Sequence, residues 1–398
     1  MKIFMKQSKI LLFCVLLGGI GLLHADPLLV AVLMVRNEAP VMEMTLQPLI
    51  NAGIKDFLIY DTGSTDKTIP IIRGVFLKNR IRNFVIEQGE FIDFATSRNK
   101  ALELTELHFP NATFMLMLDA EWILHNGKAL LRCCEQEKNN SPTLYFIKLT
   151  SNKTNFYHPR LIRCKSNISF VGKVHEIPNI EPQGKIYDHI YFEYNPTDYG
   201  QEKTKTRWLR DCSLLEQELE IDPDNSRSTF FLAKTYFALG DMQNAIKWGE
   251  KRIVMQGWAE ETFLTYLLLA QAYQACNDSE RMLINYFTAF NLRPHRADPL
   301  IQLAEYYYSI GAYELCYLFA RHATAIPYPT EEIAAVDQSL YDYTRYALLS
   351  ATAHHVGDFE LGKQATLKVI QAHPDQKYLY KNLEYYLNQL GECENLTT

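Results

Sequence analysis

The hydrophobic pattern changes period once along the chain. From about residue 28 to 195, short apolar runs alternate with stretches of helical spacing, and from about residue 205 only the helical spacing remains. PLLVAVLMV is continuously apolar, as a strand covered on both faces would be. RNEAPVMEMTLQPLINAG reads as a helix stopped by Gly53. DFLIYD, RNFVIEQG and TFMLMLDA repeat the strand pattern, while TGSTDKTIPIIRGVF and DFATSRNKALELT supply a turn and helices between them. This alternation predicts a largely parallel sheet, with ligands outside the carboxyl ends of its strands. Arg36, Asn37 and Glu38 follow the first strand, Asp61 the second and Asp119 the fourth, where that rule places polar residues.

The second half reads as repeated helix pairs without strands. Its turns, at Gly240, Asn277, Gly311 and Gly357, are spaced by 37, 34 and 46 residues. A period near 34, with Ala and Tyr in the first helix and Gly at the turn, is the tetratricopeptide pattern. Such pairs cannot bury their faces alone and stack into a solenoid. The abundant Tyr and Phe of this half are therefore read as stacking core. NPTDYGQEKTKTRW, residues 195 to 208, is polar and reads as the junction.

The first 25 residues follow a third pattern. Lys2, Lys6 and Lys9 precede a 14-residue uncharged run, ILLFCVLLGGIGLL, and then Ala25. That is the pattern of a secretory signal peptide, short for a spanning helix, with an uncleaved membrane anchor as the other reading. The expected organisation is 1–25 signal peptide or anchor, 28–200 an α/β domain and 205–390 the helical repeats, with export or the secretory pathway as the destination. Composition adds little: 398 residues, 47% hydrophobic, and a net charge of −6 that gives no footprint for nucleic acid. The eight cysteines show no C-x-x-C, so neither a zinc site nor a disulfide framework is indicated. N-x-S/T sequons stand at Asn111, Asn139, Asn152, Asn167, Asn277 and Asn395.

Candidate chemistry collects at the strand ends. Asp119 and Glu121 straddle a turn after FMLML and are oxygen donors of the kind that Mg²⁺ or Mn²⁺ prefers; the same pair also occurs as solvated loop acids. In DTGSTD, Gly63 allows a tight turn, and Ser64, Thr65 or Asp66 can cap the next helix. Asp61 reads either as part of that link or as an acceptor for a nucleotide base. Arg98, near a helix start, pairs either with a phosphate or with a surface acid. PRLIRCKSNISFVGKVHEIP holds Arg160, Arg163, His175 and Glu176, and strand alternation would send the last two to opposite faces. No Walker loop, G-x-G-x-x-G or G-x-S-x-G occurs.

Taken in order, VAVLMVRNEAPVMEMTLQPLINAGIKDFLIYDTGSTDKT, DFATSRNKAL, FMLMLDAE, RLIR and FVGKVHE resemble the family-2-type glycosyltransferases of the GT-A fold. The resemblance spans residues 28 to about 195 and extends to the subgroup with C-terminal tetratricopeptide repeats. It implies that Arg36, Asn37, Glu38 and Asp61 line a nucleotide pocket and that Arg98 lies near the diphosphate. It further implies that Asp119 and Glu121 match the D-x-D metal motif, that Glu176 is the general base and that His189 is a late metal-binding histidine. The family motif usually reads D-A-D-E, whereas this chain reads DAEW, with Trp122 where an acid is usual.

The expectation is a transferase moving sugar from a nucleotide-sugar donor, UDP-linked in its expected form, to an acceptor hydroxyl. A divalent cation assists, the displacement is inverting, and the acceptor is a glycan, lipid or protein positioned by the repeats. The alternative is a degenerate transferase domain that supports a tetratricopeptide scaffold holding a partner protein. A nucleotidyltransferase is disfavoured because no Gly-rich basic loop follows the first strand.

Overall fold

The computed structural model describes residues 26–151, 154–194 and 198–392. The expected signal peptide or anchor, with Cys14, lies outside the described residues, as do Cys393 and the sequons at Asn152 and Asn395. Among the described residues no helix is long and apolar enough to cross a membrane, and the six described cysteines are all free thiols.

The first half alternates β1 (Leu29–Val35), α1 (Met42–Ala52), β2 (Asp56–Asp61), α2 (Thr68–Lys78), β3 (Asn83–Gln88), α3 (Phe94–His108) and β4 (Phe114–Leu118). Gly53 ends α1 in the left-handed conformation at φ 103°, as its position predicts. Asp93 caps α3 by accepting from the Thr96 N–H. The four strands lie parallel in the order β3-β2-β1-β4. Their unbroken apolar runs have a direct cause. Leu29, Ala31, Leu33 and Val35 of β1 pack into one core with α1 and α2, while Val30 and Val32 face the other core under α3. Phe114, Leu116 and Leu118 divide from Met115 and Met117 of β4 in the same way.

Beyond β4 the sheet becomes mixed. β5 (Trp122–His125), α4 (Gly127–Glu137), β6 (Leu144–Ser151) and β7 (Thr154–Arg163) follow. Then come β8 (Phe170–Val171), β9 (Ile177–Pro178), β10 (Gly184–Lys185) and β11 (Tyr191–Tyr194). β6 and β7 form a hairpin, and β7 runs antiparallel beside β4, so the sheet continues β4-β7-β6-β11-β5. β10 and β11 run parallel to β6, and the other pairs here are antiparallel. The expectation of a largely parallel sheet therefore holds for its first four strands. A hairpin needs no crossover helix, and its second strand necessarily reverses direction.

The helical half starts earlier than the polar junction implied, since α5 (Asp198–Ile221) absorbs most of that segment. Paired helices follow: α6 (Ser226–Ala238) with α7 (Met242–Ile253), α8 (Ala259–Ala275) with α9 (Ser279–Leu292), and α10 (Asp298–Ser309) with α11 (Tyr313–Thr324). All four predicted turn residues have positive φ: Gly240, Asn277, Gly311 and Gly357. Asp241, Asp278 and Asp358 then cap the next helix through their side chains. The 46-residue spacing has a structural reason. The extra residues after α11 hold β12 (Val336–Asp337), which pairs antiparallel with Thr154 and Asn155 of β7. The expectation that strands cease after residue 205 is corrected by this short strand, which is too brief to leave a periodic signal. α12 (Arg345–Thr352), α13 (Phe359–Ala372) and α14 (Lys377–Leu390) are the last helices among the described residues.

β12 is one of the contacts between the halves. Another is a core in which Val174 packs with Cys212, Leu215 and Leu219 of α5 and with Phe230, Phe231 and Leu232 of α6. The loop that carries His175 and Glu176 is thereby anchored to α5 and α6.

Candidate active site

The carboxyl ends of β1 and β2 are laced together. The Asn37 N–H donates to Ser64 Oγ at 2.9 Å, and Asn37 Oδ1 accepts from the Thr65 N–H at 2.7 Å. The Glu38 N–H donates to Thr68 Oγ1, and Asp66 accepts from both Ala39 and Thr68. Of the three cap candidates, Asp66 meets the start of α2. Asp61 is fully buried; its Oδ1 accepts from the Ser64 N–H and its Oδ2 from Gln88 Nε2, each at 2.9 Å. Its carboxylate thus fixes the turn that shapes this end of the sheet. Arg36 is exposed at the same end.

One strand over, four charged side chains from four elements converge. Arg98 of α3 donates through Nη2 to Asp119 Oδ1 at 2.6 Å and through Nε to Glu176 Oε1. Arg160 of β7 faces the same two acids, with Asp119 Oδ2 and Glu176 Oε1 each 3.6 Å from a terminal nitrogen. The side chains of Arg98, Arg160 and Glu176 are 4–6% exposed and that of Asp119 is 33% exposed, so the quartet opens to solvent on the Asp119 side. Burial opposes the charge of Asp119, yet Arg98 and Arg160 outweigh it and hold the carboxyl down to about 2. Burial likewise works against Arg98, and the two acids more than offset it.

The DAEW turn leaves β4 sharply. Glu121 takes a left-handed φ of 72°, and its N–H donates to Thr45 Oγ1 of α1 at 3.0 Å. Burial, with smaller contributions from Glu121 and Glu38, raises the Tyr194 phenol. Trp122 is buried and packs against His158 and Phe192, with Arg160 over its indole at 5.4 Å. It supports the quartet from beneath. His158 is pushed down to about 3 by burial and by Arg160, so its ring is neutral at pH 7.

His175 and Glu176 do part company, though for a reason other than strand alternation. The strand-like ISFVGKV forms only the short β8, and Gly172 and His175 both take positive φ in the turn to β9. His175 stacks on Phe231 of α6 with ring centroids 3.8 Å apart, while Glu176 turns into the quartet. Arg163 is structural, donating to the carbonyls of Pro142, Lys138 and Glu137.

His189 is not brought to this corner. It is exposed, stacks on Tyr187, and its carbonyl accepts from Asn126. The β5–β11 ladder pairs Trp122 with Tyr194 and His125 with Tyr191, so His189 lies beyond the end opposite Trp122. Among the described residues no group of three or more His, Cys, Asp or Glu is placed to hold a metal ion. Asp119 and Glu121 are the carboxylates at the turn. Two carboxylates are oxygen donors of the kind a hard cation takes, and they do not form a complete cage. Arg160 and His158 carry no motif that assigns them a role from sequence. Their signal was positional, since two polar residues two apart in β7 share one face of an otherwise apolar strand end.

No protein-family model matches the chain. Among solved structures it is similar to MamA, with 17% identity, 49% of this chain and 96% of that chain covered, and a TM-score of 0.33. It is also similar to YrrB, described as a TPR protein with an unusual peptide-binding site, with 9% identity, 45% and 85% coverage, and a TM-score of 0.37. Among curated proteins it is similar to the SPbeta prophage-derived glycosyltransferase SunS of Bacillus subtilis (strain 168), and to glycosyltransferase SunS of Bacillus phage SPbeta. Each is 25% identical over 241 residues, covering 57% of this chain and 53% of the relative, so the chain spans about half the length of the curated relatives it matches. Over that stretch the chain is similar to glycosyltransferases.

Proposed function

We propose that this chain is a glycosyltransferase of the GT-A type, acting from a nucleotide-sugar donor at the corner formed by Arg98, Asp119, Arg160 and Glu176. The observation that carries the reading is the quartet itself: a buried acid and a more open one, held by two guanidiniums beside the carboxyl end of a parallel strand. The similarity to SunS supports the same class.

The residues divide the chemistry by position. The Asn37–Glu38 and Asp61–Thr68 loops form the rim on which the nucleoside rests. A divalent cation on Asp119 and Glu121 would offset charge on the departing diphosphate. Arg98 lies within reach of the same phosphates. Glu176 accepts the acceptor's hydroxyl proton as the new oxygen–carbon bond forms at the anomeric carbon. The bond from that carbon to the diphosphate oxygen breaks, and its electron pair leaves with the phosphate. In this reading the acceptor oxygen itself is the nucleophile, and the displacement is direct and inverting, as the resemblance to family-2-type glycosyltransferases implies. The helical repeats, fixed to the sheet through β12 and the Val174 core, form the adjoining surface for a glycan, lipid or protein acceptor.

The test is a screen of nucleotide sugars, UDP-linked donors included, for binding and for release of nucleoside diphosphate, with and without Mn²⁺. Metal-stimulated turnover lost in Asp119→Ala supports the reading. Absence of both binding and turnover across the panel refutes it.

A further inference from the structure

Arg160 is a buried cation that lacks ordinary hydrogen bonds to its acidic neighbours. It is 5% exposed. Among the described residues it approaches those acids only at 3.6 Å, beyond hydrogen-bond distance, and its buried Nε has no partner. Arg98 is better bonded, yet its Nη1 is also buried without a partner. A guanidinium carries five N–H donors in a rigid fork, and leaving them unmatched in a dry site is costly. Beside those two ion pairs, Arg160 is flanked by aromatic faces: Trp122 lies 5.4 Å from its Cζ and Phe170 5.8 Å. An aromatic face attracts the cation without engaging its N–H groups. An acid at position 122 would instead bind those donors and neutralise the charge. The departure from D-A-D-E at Trp122 therefore leaves a positioned guanidinium with donors to spare.

We infer that Arg160 is the second arm of a two-guanidinium clamp for the diphosphate of the donor, a role that rests on the glycosyltransferase reading. Its place fits. Leu161 is in register with Leu116, so Arg160 stands beside the carboxyl end of β4, from which Asp119 departs. A diphosphate offers paired oxygens that match a guanidinium fork, at charge-assisted distances that the 3.6 Å contacts to Asp119 and Glu176 do not reach. When the phosphates take up Arg98 and Arg160, both cations exchange their hold on Glu176 for the ligand. Donor binding and release of the proton-accepting carboxylate thus become one event.

The experiment measures binding of nucleoside diphosphates (UDP first, then GDP, ADP, CDP and dTDP) to the full chain by calorimetry, with the matching nucleoside as control. Arg160→Gln is expected to weaken diphosphate binding by about tenfold or more and to leave nucleoside binding within about twofold. Arg160→Lys, which keeps the charge without the fork, falls between. If Arg160→Gln does not fold, the Arg160→Lys loss and competition by inorganic pyrophosphate on the wild-type chain still decide the matter. Unchanged diphosphate affinity in the variants, or an equal loss for nucleoside and diphosphate, overturns the clamp. If the wild-type chain binds no nucleoside diphosphate, the glycosyltransferase reading falls and the clamp with it; if it binds and Arg160→Gln binds equally, the clamp alone falls.

Discussion

Glu176→Gln is the substitution that tests the site most directly, because it changes charge and leaves shape nearly intact. Glu176 is 6% exposed, pairs with Arg98 Nε and faces Arg160 at 3.6 Å. Removing its charge leaves two buried guanidiniums sharing Asp119 alone, a quartet with one positive charge in excess. Breaking a buried pair outright costs about 3–5 kcal/mol. Here Arg98 keeps its 2.6 Å bond to Asp119, and the new amide oxygen still accepts a hydrogen bond, so a loss of about 2 kcal/mol is expected. Denaturant unfolding measures that loss. The cycle with Arg98→Gln should show a coupling of about 1–3 kcal/mol, because the two side chains touch. Steady-state transfer, on the donor identified by the screen, reads the second effect. Loss of the base lowers kcat by about 10²–10⁴, with little change in donor KM. A variant within tenfold of wild-type kcat would refute the role of Glu176 as base. Independent, additive losses in the cycle would refute the quartet.

Further outcomes follow from single contacts. Arg227 of α6 donates to the His175 carbonyl at 3.1 and 3.3 Å and pairs with Glu261, so Arg227→Met should free the Glu176 loop. Its kcat should fall while isolated nucleotide binding persists, and unchanged kcat would show that the repeats do not position the base. Acid sensitivity has two windows. His158, about 3 when folded against 6.5 when unfolded, withdraws stability as pH falls from about 6.5 toward 3, by up to about 5 kcal/mol. Asp119, about 2 against 3.8, contributes stability that is present above about 3.8 and is lost as pH falls toward 2. His158→Gln should flatten the upper window alone in a pH series of thermal melts. Val336 is 1% exposed in β12, and Val336→Asp should cost about 3 kcal/mol or more and loosen the sheet edge, read as faster amide exchange at Asn155. Gly311→Ala meets nothing within 4 Å and should cost only the left-handed backbone preference, about 1 kcal/mol.

By itself the sequence determined what period and turn chemistry can encode. Runs such as LVAVLMV could only be strands covered on both sides, and the structure divides their residues between two cores. Gly53 and the four repeat turns demanded positive φ, and each has it. Asp119 and Arg98 were legible as chemistry because charges beside buried elements are costly unless they are used or paired. Tertiary structure decided which partners they meet. The pairing of Arg98 with Glu176 joins residues 78 positions apart, and Arg160 reaches both acids from a strand whose antiparallel place beside β4 no local pattern announces. Trp122 could not be placed from the motif, because its neighbours His158 and Phe192 come from two other strands. His189 was singled out by the family resemblance, yet the β5–β11 register carries it away from the turn that holds Asp119 and Glu121. β12 was invisible for a simpler reason: two residues have no period, and their strand exists only because the edge of β7 is there to receive them.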